Sequence, residues 1–280
     1  MSHIRVDRHD SVAVITIDRR PRFNALDVET ARDLRKAGLQ CARDTGVRVV
    51  VLRGEGGVFC SGADLKYIRA GGDAGDLQYL SPDARHPDGG FGPVFKEILE
   101  YIHSTISEIT RASKPFIAAV DGSAAAGGMG LAMACDLVIA SERATFEWAY
   151  GKTSLTGAES STFFLPRLLG LRRAMELVYL NPRLDAAAAL DWGLVNRVLP
   201  TLTFDAEVLE LAAGISRGPA PAFAVSKRLM HLADGVDRLD FHLDLELTEL
   251  ARVADSPDFA EGIAAFFDKR PPRFNGPDQG

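Results

Sequence analysis

The chain has 280 residues, a hydrophobic content of 46% and a formal net charge of −6, which suits a globular protein with one large buried core. Lysine and arginine are scattered along this acidic chain, which argues against a nucleic-acid partner. The sequence contains neither an apolar run long enough to cross a bilayer nor a targeting pattern near residue 1, so we expect a cytoplasmic protein without a membrane partner.

The first strands and the first helix follow from hydrophobic periodicity. Residues 11–18 (SVAVITID) predict a strand, because valine and isoleucine alternate with smaller or polar residues. Helical spacing predicts a helix over 28–41. The run VRVVVL at 47–52 predicts a buried strand, which ends in the glycine-rich turn 54–57.

An irregular segment then separates two predicted helical regions. Residues 70–92 are rich in Gly, Asp and Pro and predict a surface loop, and an amphipathic pattern predicts a long helix over 93–112. A strand over 115–120, a helix from about Gly127 and a strand near 136–140 follow. This alternation of strands and helices indicates an α/β fold with crossover connections.

The last third of the chain is predicted to be almost wholly helical. A final strand is expected over 194–199 (LVNRVL). Amphipathic stretches then begin near Phe204, Pro219, Val236 and Ser256.

Two glycine-containing turns stand out, each between a predicted strand and a helix. The first lies in residues 54–68 (GEGGVFCSGADLKYI), and the second lies in residues 118–136 (AAVDGSAAAGGMGLAMACD). Glycine and alanine leave the backbone accessible there, and the first amide groups of a helix lack intrahelical acceptors. Such a turn stabilises negative charge that develops on a ligand.

Together with residues 256–274 (SPDFAEGIAAFFDKRPPRF), these motifs resemble the crotonase superfamily, the enoyl-CoA hydratase/isomerase family, over nearly the whole chain. The resemblance implies a crotonase-like β/α spiral core over residues 1–200. It also implies a C-terminal helical region over 201–280 that mediates oligomerisation and covers coenzyme A. A homotrimer or homohexamer is therefore expected.

The resemblance assigns the two turns to the thioester of an acyl-CoA substrate. In that family each turn donates one backbone N–H to the thioester carbonyl, and the matching positions here are Ala63 and Gly127. Two fixed donors stabilise the enolate oxygen, and losing one costs about 3 kcal/mol of barrier. Coenzyme A belongs to the substrate, so neither a separate cofactor nor a metal is expected.

Six further positions are assigned to coenzyme A by the same resemblance. Ser61 and Leu65 flank the adenine, whereas Phe266 and Lys269 reach coenzyme A bound in an adjacent subunit. The remaining two are basic residues near its phosphates or pantetheine.

Those two basic residues are Arg22 and Lys66, for which an ordinary solvated role is the alternative.

Asp64 lies between the motif and the helix that follows it. We interpret Asp64 as the N-cap of that short helix and not as a catalytic group.

The carboxylates of a standard hydratase are missing. The family's two glutamate positions correspond to Gly130 and Tyr150, and the acidic position of many isomerases corresponds to Ala158. Adding water across a double bond needs a base and an acid, which glycine and alanine cannot provide. Standard hydratase chemistry is therefore not expected.

Glu159, next to the vacant isomerase position, is the best candidate acid or base, and Tyr150 is a candidate hydrogen-bond donor to the substrate. The alternatives are that Glu159 only favours the start of a helix electrostatically and that Tyr150 only fills the core. His103 and Cys60 are interpreted as core residues, and His86 as an exposed loop residue.

The sequence thus predicts an enzyme of the enoyl-CoA hydratase/isomerase family that stabilises a thioester enolate. Two alternatives stay open: a noncatalytic acyl-CoA-binding protein, and a hydrolase of this fold that acts on a cyclic acyl-CoA. Three cysteines without a CxxC pair predict reduced thiols at Cys41, Cys60 and Cys135.

Overall fold

The computed structural model describes residues 2–73, 75–76 and 90–274. Its strands are β1 (Ile4–His9), β2 (Val12–Ile17), β3 (Val49–Gly54), β4 (Val58–Cys60), β5 (Phe116–Val120), β6 (Ser123–Ala125), β7 (Leu137–Ser141), β8 (Thr145–Glu147), β9 (Arg183–Asp185) and β10 (Arg197–Leu199). Its α-helices are α1 (Val28–Arg43), α2 (Leu65–Arg69), α3 (Gly92–Arg111), α4 (Gly127–Met133), α5 (Ser161–Leu169), α6 (Leu171–Leu180), α7 (Ala186–Asp191), α8 (Phe204–Ser216), α9 (Ala220–Ala233), α10 (Leu239–Ala254) and α11 (Pro257–Asp268).

The strands form two sheets. The larger sheet has the order β1-β2-β3-β5-β7-β10, with β1 antiparallel to β2 and the other pairs parallel. The smaller sheet has the order β4-β6-β8-β9, with only β8 and β9 antiparallel among its pairs. The mixed α/β class predicted from the sequence is confirmed.

Helices cover both faces of the larger sheet, which is why its central strands read as continuous apolar runs. On one face, Val12, Val49 and Ile117 pack against Phe204 and Val208 of α8. On the other face, the main core includes the buried sides of α1, α3 and α4.

The elements predicted from the sequence are confirmed with small shifts of their ends, but β1, the strands of the smaller sheet and helices α6 and α7 were not predicted. Strand β1 pairs with β2 at the sheet edge, but its sequence IRVDRH carries charged residues between apolar ones. The strands of the smaller sheet have three residues each, too few for a periodic pattern. Of the predicted loop 70–92, residue 74 and residues 77–89 lie outside the described residues.

The C-terminal helices follow β10 and return to the core. Helix α10 packs against α3, and α11 packs against the short 3-10 helix Tyr150–Thr153. That approach is close, because a Cβ atom at Gly262 of α11 would lie 2.8 Å from the backbone of Thr153. Among the described helices, none has both the length and the apolar composition of a membrane span.

Candidate active site

The two glycine-containing turns meet in space. Gly62, in the turn between β4 and α2, has φ +87°, and a Cβ atom there would lie 3.0 Å from the amide nitrogen of Gly127. A Cβ atom at Gly128 would lie 2.0 Å from the carbonyl oxygen of Cys60. Any side chain at these positions would push the two turns apart, which explains why both are glycine.

The amide groups of Ala63 and Gly127 are left unused at this meeting point. The backbone of Leu26 forms hydrogen bonds with the two residues that flank Ala63. The N–H of Leu26 donates to the carbonyl of Gly62 at 2.8 Å, and the carbonyl of Leu26 accepts from the N–H of Asp64 at 2.8 Å. Gly127 is the first residue of α4. Within residues 2–73, 75–76 and 90–274, neither the Ala63 nor the Gly127 amide has a hydrogen-bond acceptor.

A cavity of about 240 Å³ lies beside these turns. Its wall is mainly apolar and is formed by Ser61, Ala63, Leu65, Phe95, Ala125, Ala126, Glu147, Ala149, Tyr150, Lys152, Thr153, Leu155, Glu159, Leu250 and Phe266. The cavity therefore brings together the predicted backbone donor Ala63, the candidate acid or base Glu159 and the candidate hydrogen-bond donor Tyr150. Three of the predicted coenzyme A contacts also line it. Gly127 is buried next to Ala126, directly behind this wall.

Glu159 supplies a buried carboxyl group to the cavity. Its residue exposure is 3%, and the hydroxyl of Tyr150 donates a hydrogen bond to its Oε2. Burial raises the pKa of Glu159 to about 7; the hydrogen bond from Tyr150 lowers this pKa, and the charge of Glu246 raises it. A carboxyl group with this pKa can both accept and return a proton near neutral pH.

Glycine on α4 makes room for Glu159. A Cβ atom at Gly127 would lie 2.6 Å from the carboxyl carbon of Glu159, and one at Gly130 would lie 2.4 Å from its backbone oxygen. The backbone of Glu159 therefore fills the space beside Gly130, the residue to which the resemblance assigns a family glutamate. A side chain at residue 130 would overlap the backbone of Glu159, so Glu159 could not keep its present position.

Tyr150 and Glu147 are two further polar residues of the cavity wall. Burial raises the pKa of the Tyr150 phenol well above its usual range, so Tyr150 acts as a hydrogen-bond donor and not as a phenolate. The carboxylate of Glu147 pairs with Lys152 and accepts a hydrogen bond from Asn181 at 3.0 Å. Sequence reasoning did not select Glu147 for the site, because strand alternation alone does not tell which face of a three-residue strand borders a cavity.

The N-cap role of Asp64 is confirmed. Its carboxylate accepts hydrogen bonds from the amides of Lys66 and Tyr67 at the start of α2. Arg22 donates to the same carboxylate at 2.9 Å from Nε, and Arg19 donates at 2.7 Å. Arg22 is thus engaged by a buried carboxylate.

The other predicted coenzyme A contacts fall into two groups. Ser61, Leu65 and Phe266 line the cavity, and Phe266 is 54% exposed at its rim. Lys66 and Lys269 are exposed and do not line it. The roles of all these residues stay predictions.

The residues interpreted as core are indeed buried. Burial lowers the pKa of His103 to about 4 and raises the pKa of the Cys60 thiol to about 12, so neither is a base or nucleophile at pH 7. His86 lies outside the described residues. In the part of the chain that the structure describes, no group of three or more His, Cys, Asp or Glu side chains is arranged to hold a metal ion.

Two largely parallel sheets followed by C-terminal helices put this chain in the crotonase class of α/β proteins. The sequence profile of the enoyl-CoA hydratase/isomerase family matches residues 7–85 and 96–277. The chain belongs to that family, whose members act on acyl-CoA thioesters.

Individual relatives differ in the reaction they are named for. The chain is 35% identical to a probable enoyl-CoA hydratase of Rhodobacter capsulatus, over 98% of both chains. It is 33% identical to 4-chlorobenzoyl coenzyme A dehalogenase-2 of an Arthrobacter species, over 95% of this chain and 91% of the relative. It is 30% identical to 1,2-epoxyphenylacetyl-CoA isomerase of Escherichia coli, over 99% and 98%.

Among solved structures, an enoyl-CoA hydratase from Mycobacterium avium subsp. paratuberculosis superimposes with a TM-score of 0.84 at 33% identity. The match covers 98% of this chain and 99% of that structure. The family and the fold are therefore established by sequence and by structure, while the reaction is not fixed by the names of the relatives.

Proposed function

We propose that the protein converts an acyl-CoA by forming a thioester enolate and moving a proton with Glu159, which makes it an isomerase and not a standard hydratase. The observation that carries this proposal is the buried Glu159 carboxyl, which lies against Gly127 in the cavity that Ala63 also lines. This carboxyl group lies beside the two amides that the proposal assigns to the thioester carbonyl, which supports a role for it in proton transfer.

The amides of Ala63 and Gly127 bind the thioester carbonyl oxygen in this proposal. Both donors are fixed by the backbone, Ala63 through its pairing with Leu26 and Gly127 through the start of α4. Neither needs to reorganise as negative charge develops on the oxygen, which is why such donors lower the barrier to enolate formation.

Glu159 provides the proton transfers. Its ionised carboxylate removes a proton from a carbon activated by the thioester, and the electron pair of that C–H bond moves to the carbonyl oxygen as the enolate forms. The protonated carboxyl then returns the proton to a different carbon, and the electron pair of the enolate forms the new C–H bond. A pKa of about 7 makes both forms accessible at neutral pH.

Hydration fits the site less well, because it requires a second acid–base group. Residue 130 is glycine and its space is taken by the backbone of Glu159. The other carboxyl of the cavity, Glu147, is held by Lys152 and Asn181. The similarity to a relative named 1,2-epoxyphenylacetyl-CoA isomerase also supports an isomerisation.

The coenzyme A moiety is proposed to run from the cavity past Ser61 and Leu65 toward the exposed Phe266. Lys66 and Lys269, both exposed, are proposed to meet its phosphates, as is Arg22 once it exchanges part of its pairing with Asp64.

A homotrimer or homohexamer is proposed as the assembled form. Exposed apolar side chains on α6 and α9 support it, since Tyr179, Leu180, Leu229 and Met230 are each more than half exposed in the single chain.

The proposal is tested by turnover of a panel of enoyl-, dienoyl- and cyclic acyl-CoA thioesters with the wild-type protein and two variants. Glu159→Gln is expected to lose turnover by at least about 100-fold while acyl-CoA binding, measured by calorimetry, is retained. Glu147→Gln is expected to lose much less, because Lys152 and Asn181 already occupy its carboxylate.

Each alternative predicts a different result from the same panel. Binding without turnover of any thioester would support a noncatalytic acyl-CoA-binding protein. Ring opening of a cyclic acyl-CoA would support the hydrolase. Full activity of Glu159→Gln would contradict the assignment of the acid–base group.

A further inference from the structure

The backbone that carries Glu159 has an unusual conformation. Glu159 and Ser160 are consecutive non-glycine residues in the left-handed region, with φ values of +51° and +61°. Such residues cost free energy and persist only where their surroundings hold them. Helix α5 begins directly after this turn, and Ser160 does not cap it with its own side chain.

The group that holds this turn comes from the C-terminal helical region. Glu246 of α10 is buried, and its Oε2 accepts a hydrogen bond from the amide of Ser160 at 2.8 Å. Its Oε1 accepts from the amide of Thr162 at 3.0 Å and from the hydroxyl of Thr162. One carboxylate thus accepts from the amides of Ser160 and Thr162 at the start of α5, a position at which negative charge is favourable.

Two histidines and the Glu159 carboxyl group lie near Glu246. Nε2 of His103 on α3 lies 3.8 Å from Oε2, but burial lowers the pKa of His103 to about 4, so this ring is neutral at pH 7. His242 lies on α10, as Glu246 does. Its Nε2 atom is 3.6 Å from Oε1 of Glu246 and 2.7 Å from the hydroxyl of Thr162. Glu159 faces Tyr150 and Glu246, and the Glu246 charge raises its pKa.

We infer that Glu246 is a positioning residue for the reaction: through Ser160 and Thr162 it locks the left-handed turn that presents the Glu159 carboxyl to the acyl group. The inference rests on the proposed role of Glu159 and extends it to a residue on a distant helix. Glu246 lies outside the cavity lining, so it acts through the turn and not on the substrate.

The first test is kinetic and compares Glu246→Gln with Glu249→Gln. Glu249 lies three residues further along α10, is exposed and pairs with Arg252. In Glu246→Gln, kcat is expected to fall roughly 10- to 100-fold, because a group displaced by about 1 Å loses that much catalysis. KM is expected to stay within about threefold, and Glu249→Gln is expected to match wild type.

Rescue separates positioning from a general loss of stability. Ser160→Gly suits a left-handed φ, and the Ser160 hydroxyl that it removes has no hydrogen-bond partner among the residues that the structure describes. Adding Ser160→Gly to Glu246→Gln is expected to recover part of kcat. If Glu246→Gln does not fold, the same comparison is made with Glu246→Asp, which keeps the charge and shortens the side chain.

A substrate-free measurement keeps this inference separate from the proposed reaction. The protonated carboxyl band of Glu159, assigned by its loss in Glu159→Gln, is followed by infrared spectroscopy as a function of pH. In Glu246→Gln, the midpoint is expected to move to lower pH, because a nearby negative charge has been removed. An unchanged midpoint, or a folded Glu246→Gln with wild-type kcat and pH profile, would overturn the inference.

Discussion

Replacing Gly130 by alanine tests whether glycine is needed at residue 130 for Glu159 to keep its position. The added Cβ atom would lie 2.4 Å from the backbone oxygen of Glu159 and 3.1 Å from its Cβ atom. Carbon–carbon contacts are most favourable near 3.5–4.0 Å, so the Glu159 turn must move by about 1 Å. Because the turn is buried between α4 and α5, it cannot move without disturbing both helices.

The expected magnitudes follow from that displacement. Overpacking costs about 1–3 kcal/mol and alanine in a helix regains about 1 kcal/mol, so the free energy of unfolding falls by up to about 2 kcal/mol. A shift of about 1 Å in the acid–base group lowers kcat by roughly 100-fold. Gly130→Glu, which restores the family's residue, is expected to lose more and to gain no hydratase activity.

The assay is thermal unfolding together with steady-state turnover, and Gly38→Ala is the matched control. Gly38 is also a buried helical glycine, but the nearest contact of an added Cβ atom is 3.4 Å, from the Cγ2 atom of Thr105. That variant should keep wild-type kcat and equal or higher stability. If Gly130→Ala also keeps wild-type kcat and stability, the reasoning that links glycine at residue 130 to Glu159 is refuted.

Four further predictions concern ionisation. The value of kcat/KM is expected to rise with pH around a midpoint of about 7, where Glu159 becomes the active base, and a flat profile would contradict this. Folding raises the pKa of Glu159 from 4.5 to about 7. The contribution of Glu159 to the free energy of unfolding is therefore full below pH 4.5 and declines by roughly 3 kcal/mol as pH rises through 7. Denaturant unfolding of the wild-type protein should show this decline, and Glu159→Gln should lack it. Tyr150→Phe removes the hydrogen bond that lowers this pKa, so the activity midpoint should move to higher pH and not to lower pH. Cys41, Cys60 and Cys135 are buried with raised thiol pKa values, so a thiol-alkylating reagent at neutral pH should label the native protein far more slowly than the unfolded one.

Much of the fold could be predicted because its elements carry strong local signals. The apolar runs of β2, β3 and β5 and the amphipathic patterns of α1 and α3 appear directly in the sequence. The smaller sheet has no such signal, since three-residue strands gain their identity only from pairing with neighbours that are distant in sequence.

The site was predictable where backbone motifs define it and not where tertiary packing does. Small residues mark the turns at Ala63 and Gly127 in the sequence, and Glu159 is a candidate because it follows Ala158, the residue at the isomerase position. The sequence does not reveal that the backbone of Glu159 fills the space beside Gly130. Nor does it reveal Glu246, which meets Ser160 across 86 positions of the chain.

Exchange of acyl-CoA carbon-bound hydrogen with deuterated solvent, followed by NMR, tests the central claim most directly because it reports enolate formation at the thioester. The account predicts that wild-type protein exchanges hydrogen at the α or γ carbon of an enoyl-CoA. Glu159→Gln should bind the same thioester and exchange it at least about 100-fold more slowly. Equal exchange rates in the two proteins, or no exchange by wild-type protein that binds the thioester, would contradict the account.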